Sequence, residues 1–141
     1  MSRPHRFVAL VVGVTIALVF AMGSEAQVKQ HCTNATLHGS YAFRATSERF
    51  AAVARFVFDG NGHLTATFYG RNPGTPFGPV EFEGEYSVNP ECIVTDTWGP
   101  PLNSSHTSVI YEQGRGYFIL NSTPDDDPAA DTVNSGEGIR Q

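Results

Sequence analysis

The sequence predicts an all-β fold: a small antiparallel β-barrel of about eight strands in meander order, with a two-sheet β-sandwich as the alternative. Three observations carry this. Short runs rich in β-branched and aromatic residues recur along the chain, with Gly, Asn and Pro clustered between them. Val80, Phe82, Gly84, Tyr86 and Val88 alternate with Glu81, Glu83, Glu85 and Ser87, the period of two that marks a half-buried strand. From Gln27 onward no segment holds a helical period beyond two turns. Closure into a barrel is preferred to an open sheet because it leaves no unpaired edge.

Residues 1–26 stand apart from this pattern. Arg3, His5 and Arg6 make a basic start, Phe7 to Met22 is apolar apart from Gly and one Thr, and Ser24-Glu25-Ala26 supplies small residues before Gln27. That is the layout of a secretory signal peptide, so the exported chain is expected to be a single domain over 27–141. The apolar run is short for a bilayer span, which needs about 20 residues, and no later stretch is apolar enough to insert. Cleavage takes Arg3, Arg6 and Glu25 with it and moves the formal charge from −5 to −6. A mildly acidic domain with scattered Arg offers no footprint for nucleic acid and no basic patch for anionic lipid.

Taken in order, Gly39 to Thr46 is the first expected strand, with Tyr41, Phe43 and Ala45 on one face. Ala52 to Phe58 and His63 to Tyr69 form a hairpin about Asp59-Gly60-Asn61-Gly62, a dense turn signal. Gly70 to Pro79 reads as a loop, because Pro73, Pro76 and Pro79 lack the ladder donor. Val80 to Val88 follows as the clearest strand, its three carboxylates best read as a solvated face. Cys92 to Trp98 and His106 to Gln113 are the fifth and sixth strands. Tyr117 to Asn121 is the seventh, its continuous apolar run suggesting burial on both faces or a ligand-facing side. Thr132 to Arg140 is a last strand weakened by Gly136 and Gly138.

Two cysteines, Cys32 and Cys92, follow the apolar start, and in an exported chain an even count favours a disulfide. A loop of this length constrains the unfolded chain by about 4 kcal/mol in the entropy model. His31, His38, His63 and His106 show no metal-ligand spacing, and no metal or other cofactor is expected. Asp59-x-Asn61 and Asp125-Asp126-Asp127 lack the continuation of a calcium loop and read as a turn and a solvated loop. Asn34, Asn103 and Asn121 each begin a glycan sequon, which matters only in a glycosylating host.

Cys32-Thr-Asn-Ala-Thr-Leu-x-Gly-x-Tyr-x-Phe43, Phe58-Asp-Gly-Asn-Gly62, Gly84-x-Tyr-x-Val-Asn-Pro-x-Cys92 and the closing Gly138-Ile-Arg-Gln141 together resemble small secreted bacterial proteins of the allene oxide cyclase barrel-like type, related in shape to dirigent proteins and lipocalins. The resemblance implies an eight-stranded antiparallel barrel with a central cavity. Its motifs are turns, strand starts and cysteines, so no cyclase or dirigent active-site residue is carried over.

Candidate ligand contacts come from residues whose polarity breaks the pattern. Arg55 shares a strand face with Val53 and Val57; it either enters the lumen as an anchor for a carboxylate or carbonyl, or lies outside against a carboxylate such as Glu83. Arg44 is comparable, and Tyr41, Tyr86 and Tyr111 could fill a core or line a pocket. Glu48 is a further polar group. The function expected is binding of a small apolar or amphipathic ligand in the barrel. The alternatives are an isomerase or cyclase in the cavity, and an envelope interaction protein with no small ligand.

Overall fold

A computed structural model of the chain describes residues 31–47, 50–100, 102–123 and 135–141. The signal sequence expected over 1–26, Glu48 and the Asp125–Asp127 loop lie outside the described residues.

Eight strands close a barrel in simple chain order: β1 (His38–Thr46), β2 (Ala51–Asp59), β3 (His63–Asn72), β4 (Thr75–Val88), β5 (Ile93–Trp98), β6 (Ser105–Tyr111), β7 (Gly116–Asn121) and β8 (Ser135–Arg140). Each strand pairs antiparallel with the next, and β8 returns to β1 through Tyr41↔Arg140 to Thr46↔Ser135. The expected meander barrel is therefore the fold, and the sandwich is not. Among the described residues no helix is long and apolar enough to cross a membrane.

The hairpin between β2 and β3 forms as its sequence dictates. Asp59 Oδ1 accepts from the backbone N–H groups of Asn61, Gly62 and His63 at 2.7, 3.0 and 3.0 Å, while Gly60 and Gly62 take φ of 82° and 120°. Only glycine adopts such angles without strain, which explains the Gly-Asn-Gly composition. Alternation then sends Phe56 and Phe58 inward and Val53, Arg55 and Val57 outward.

The structure differs from expectation in three places. The loop expected at 70–79 shrinks to the turn Pro73-Gly74: β3 and β4 pair as far as Asn72↔Thr75, with a register shift between Phe68 and Gly70. Pro76 and Pro79 are tolerated because β5 pairs with β4 only over Gly84 to Val88, leaving the far edge of β4 free above that point. The sixth strand stops at Tyr111, where Glu112, Gln113 and Gly114 all take positive φ and turn the chain. On β7, Tyr117 and Ile119 are buried, but Phe118 and Leu120 are 56% and 59% exposed, so that run is not buried on both faces. With Val109 and Ile139 they make an apolar outer wall across β6, β7 and β8.

The barrel has a shut base and a mouth. At the base, Cys32 and Leu37 are buried, and the 3-10 turn Asn34–Thr36 between them bonds across to the barrel. Asn34 Oδ1 accepts from the Val88 N–H at 2.8 Å, and the Tyr86 hydroxyl donates to the Leu37 carbonyl at 2.9 Å. The Cys32–Cys92 disulfide fastens this plug to the start of β5. The mouth is built from the ends of β1, β3, β5 and β7.

Candidate functional site

Both candidate arginines stand on the outer wall. Arg44 pairs with Glu137 of β8 at 3.2 Å, its side chain 78% exposed. Arg55 donates to Ser40 Oγ through Nη2 at 2.9 Å, and not to Glu83. Neither reaches the lumen, because each occupies the odd position of a strand whose even positions are apolar. Tyr111 also points outward, donating to Glu137 Oε1 at 3.1 Å and packing on Phe118. Its pKa is raised by partial burial first and by the Glu137 carboxylate second.

Tyr41 and Tyr86 do turn inward, but as parts of the base. The Tyr41 hydroxyl donates to the Gly114 carbonyl at 2.8 Å, and that of Tyr86 to the plug. Burial raises the Tyr86 phenol pKa, as expected of a group whose charged form would lose water.

Rings fill the lower lumen. Phe43 stacks on Phe56 at 4.4 Å, Phe58 meets Tyr86 edge-on at 5.0 Å, and Trp98 packs on Phe56 at 5.4 Å. Strand glycines seat them. A Cβ on Gly138 would enter the Tyr117 ring directly across the ladder, and one on Gly84 would come within 3.2 Å of Trp98. Gly138 is therefore less a weakness of the last strand than the space that the Tyr117 ring needs.

One polar pair interrupts this apolar interior. Asp96 and His106 face each other across the β5–β6 ladder, and Asp96 Oδ1 meets His106 Nδ1 at 2.8 Å. Both side chains are almost wholly buried, at 7% and 2% exposure. An ionised carboxylate can only accept, so Nδ1 donates to it; Nε2 is then an acceptor in a neutral ring and a donor in a protonated one. Nothing among the described residues bonds to Nε2, nor to the buried hydroxyls of Ser104 and Tyr117. Burial, then the charge of Asp96, raises the Tyr117 pKa well above the ordinary phenol value. A buried polar atom left unbonded costs about 1–3 kcal/mol, so such atoms are rare in native interiors.

Across the lumen from β5 and β6 the wall is unusually thin. Gly136, Ala45, Ala52 and Gly70 are ladder neighbours on four successive strands, β8, β1, β2 and β3, near the mouth. Two grooves run over this row on the outer wall: one of about 380 Å³ bordered by Arg44, Phe118 and Glu137, the other of about 420 Å³ bordered by Arg44, Val53 and Tyr69. Phe77 lies over Gly70 and stacks on Phe50 at 5.7 Å, bounding the row on one side. The chain matches no protein-family profile, no curated protein and no solved structure, so its site is read from this geometry alone.

Sequence reasoning weighed His106 only as a metal ligand and passed over Asp96. The signal was present: Val94, Asp96 and Trp98 alternate with the exposed Thr95 and Thr97, placing a carboxylate on an apolar face. His106 stands in the same relation to Ile110 on β6. Neither residue belongs to a spacing motif, because their partnership runs across a ladder and not along the chain.

Proposed function

We propose that this is an exported barrel that binds a small, largely apolar molecule at the mouth end of its lumen, with His106 Nε2 as the polar contact. The observation that carries the reading is the unbonded, buried Nε2, held in orientation by Asp96 inside a ring-lined interior. Pockets for small molecules are mostly apolar with a few fixed polar groups, and this is that composition. The plugged base leaves the other end of the barrel, where Ala45, Ala52 and Gly70 lie, as the route of entry. Export is supported by the basic and apolar start of the chain and by the cystine, since such bonds persist in oxidising compartments. Kinship with allene oxide cyclase barrel-like proteins is part of the same proposal; it is supported by the quoted motifs and the eight-stranded meander.

Native mass spectrometry of the protein purified from its own host tests the reading. The wild-type protein is expected to carry a small molecule released on denaturation, and His106→Leu, shown by circular dichroism to be folded, to be largely empty. A bare wild-type protein that also shows no change in Trp98 fluorescence against a panel of apolar compounds would overturn it.

A further inference from the structure

Across the ladders, at one level of the outer wall, stand Val109, Phe118, Glu137, Arg44, Val53 and Tyr69, one each from β6, β7, β8, β1, β2 and β3 in turn. Residues paired in this way share a face of the sheet. The row is apolar at both ends and holds an acid and a base at its middle. Its four apolar members are exposed, and Leu120 and Ile139 stand exposed beside them. The opposite wall presents Glu81, Glu83 and Glu85 of β4 and Thr95 and Thr97 of β5 instead. Apolar exposure gathered on one side of a domain marks a surface for interaction.

The row complements itself. Rotated by half a turn about an axis between Glu137 and Arg44, it meets a second copy with Glu137 against Arg44, Phe118 against Val53 and Val109 against Tyr69. Each acid then faces a base, and each apolar side chain faces another. A twofold contact needs a patch that matches itself in this way. The relief of the wall agrees with the pairing. Phe118 of one copy stands over the groove of about 420 Å³ bordered by Arg44, Val53 and Tyr69 of the other, whose lining includes the small residues Ala52 and Gly70. Val53 stands over the groove of about 380 Å³ bordered by Arg44, Phe118 and Glu137. An aromatic anchor in a central depression carries much of the energy of protein interfaces. Within its own chain Arg44 donates to Glu137 from Nη2, which leaves most of its five-donor fork for the carboxylate of the other copy. Residues 124–134 of the chain are a poor cover for this face, with four Asp and no apolar side chain larger than Val133.

We infer that two copies of this chain associate through this face as a twofold-symmetric dimer. Arg44 and Glu137 meet their opposites across the axis, and Phe118 of each copy seats in the groove between Arg44, Val53 and Tyr69 of the other.

Sedimentation equilibrium of the protein purified from its own host, with its cystine intact, reads the mass. Two chains are expected toward the top of a dilution series reaching about 200 μM, since contacts of standard area associate in the micromolar range or below. Phe118→Asp changes an exposed residue that the core does not need, and should sediment as one chain. Arg44→Glu and Glu137→Arg should each weaken association by about tenfold or more, because like charges then face each other across the axis. An equal mixture of these two variants should recover association, with mixed pairs seen by native mass spectrometry, since every contact at the axis again joins an acid to a base. Glu83→Arg, on the opposite wall, should leave association unchanged. Circular dichroism checks the fold of each variant; should a charge variant fail to fold, wild type and Phe118→Asp still decide. The inference is overturned by a wild type that stays one chain throughout, by assemblies that grow beyond two chains, by Phe118→Asp pairing as wild type does, by a mixture no tighter than its parts, or by loss of pairing in Glu83→Arg. The small-molecule reading stands or falls separately, on its own measurement.

Discussion

The guanidinium of Arg140 on β8 donates twice to the Tyr41 hydroxyl of β1, from Nε at 3.1 Å and from Nη2 at 2.8 Å, and Nη2 donates again to the Thr36 carbonyl at 3.0 Å. Three parts of the base, the last strand, the first strand and the plug, meet on this one side chain. Arg140→Ala is expected to lower stability by about 1–2 kcal/mol, the range for hydrogen bonds to a charged donor discounted for its exposure. Arg140→Lys should recover only part of this, since an ammonium lacks the planar fork. Urea unfolding midpoints of the two variants check both statements.

Tyr117→Phe should behave differently from Tyr86→Phe. The Tyr117 hydroxyl has no partner among the described residues, so removing it is expected to be neutral or stabilising. Tyr86 loses its bonds to Leu37 and Asn34, at a cost of about 1 kcal/mol. Thermal unfolding of both variants side by side decides the matter.

The raised pKa of Tyr117 has a consequence in alkali. Burial, and then the Asp96 charge, keep the folded phenol neutral past the value of about 10 at which an unfolded tyrosine ionises. The stability this group contributes is thus intact below about pH 10 and is lost as pH rises toward the folded value. Absorbance at 295 nm should show Tyr117 ionising last and together with loss of near-ultraviolet circular dichroism. Ionisation of every tyrosine with the fold intact would contradict this.

Asp59 gives the opposite pH dependence. Backbone N–H groups, that of Asn61 first, hold its carboxyl below the ordinary carboxylate range. Its contribution is present above about pH 4 and disappears as pH falls through the depressed value. The gap in melting temperature between wild type and Asp59→Asn is expected at pH 7 and should close toward pH 2.

Gly138→Ala and Gly99→Ala form a contrasting pair. A methyl group on Gly138 collides with the Tyr117 ring, whereas one on Gly99 meets nothing within 4 Å. The first is expected to cost about 1–3 kcal/mol through overpacking, the second to be tolerated. Chemical denaturation of the two proteins measures the difference.

The fold was legible where side chains alternate. Val80 to Val88 and the turn at Asp59 to Gly62 announce their strands because periodicity and turn chemistry are local properties. The extension of β4 through Pro76 and Pro79 was not legible, since it depends on β5 being too short to reach that edge. The site was harder to see. Arg55 attracted notice as a charge in an apolar run, yet in a strand that run has two sides and Arg55 takes the outer one beside Ser40. Asp96 and His106 lie ten residues apart in unremarkable strands, and only the register that pairs them makes them a dyad.

Since β8 completes two ladders at once, with β1 and with β7, the cylinder cannot seal before residues 135–140 are in place. Until residues 135–140 arrive, seven strands must wait as an open ribbon with a raw border at either end, the form most prone to stick to its own kind. The Cys32–Cys92 link joins the segment before β1 to the start of β5, so four strands can already be held in a loop before the closing piece exists. Sealing then becomes a single late event.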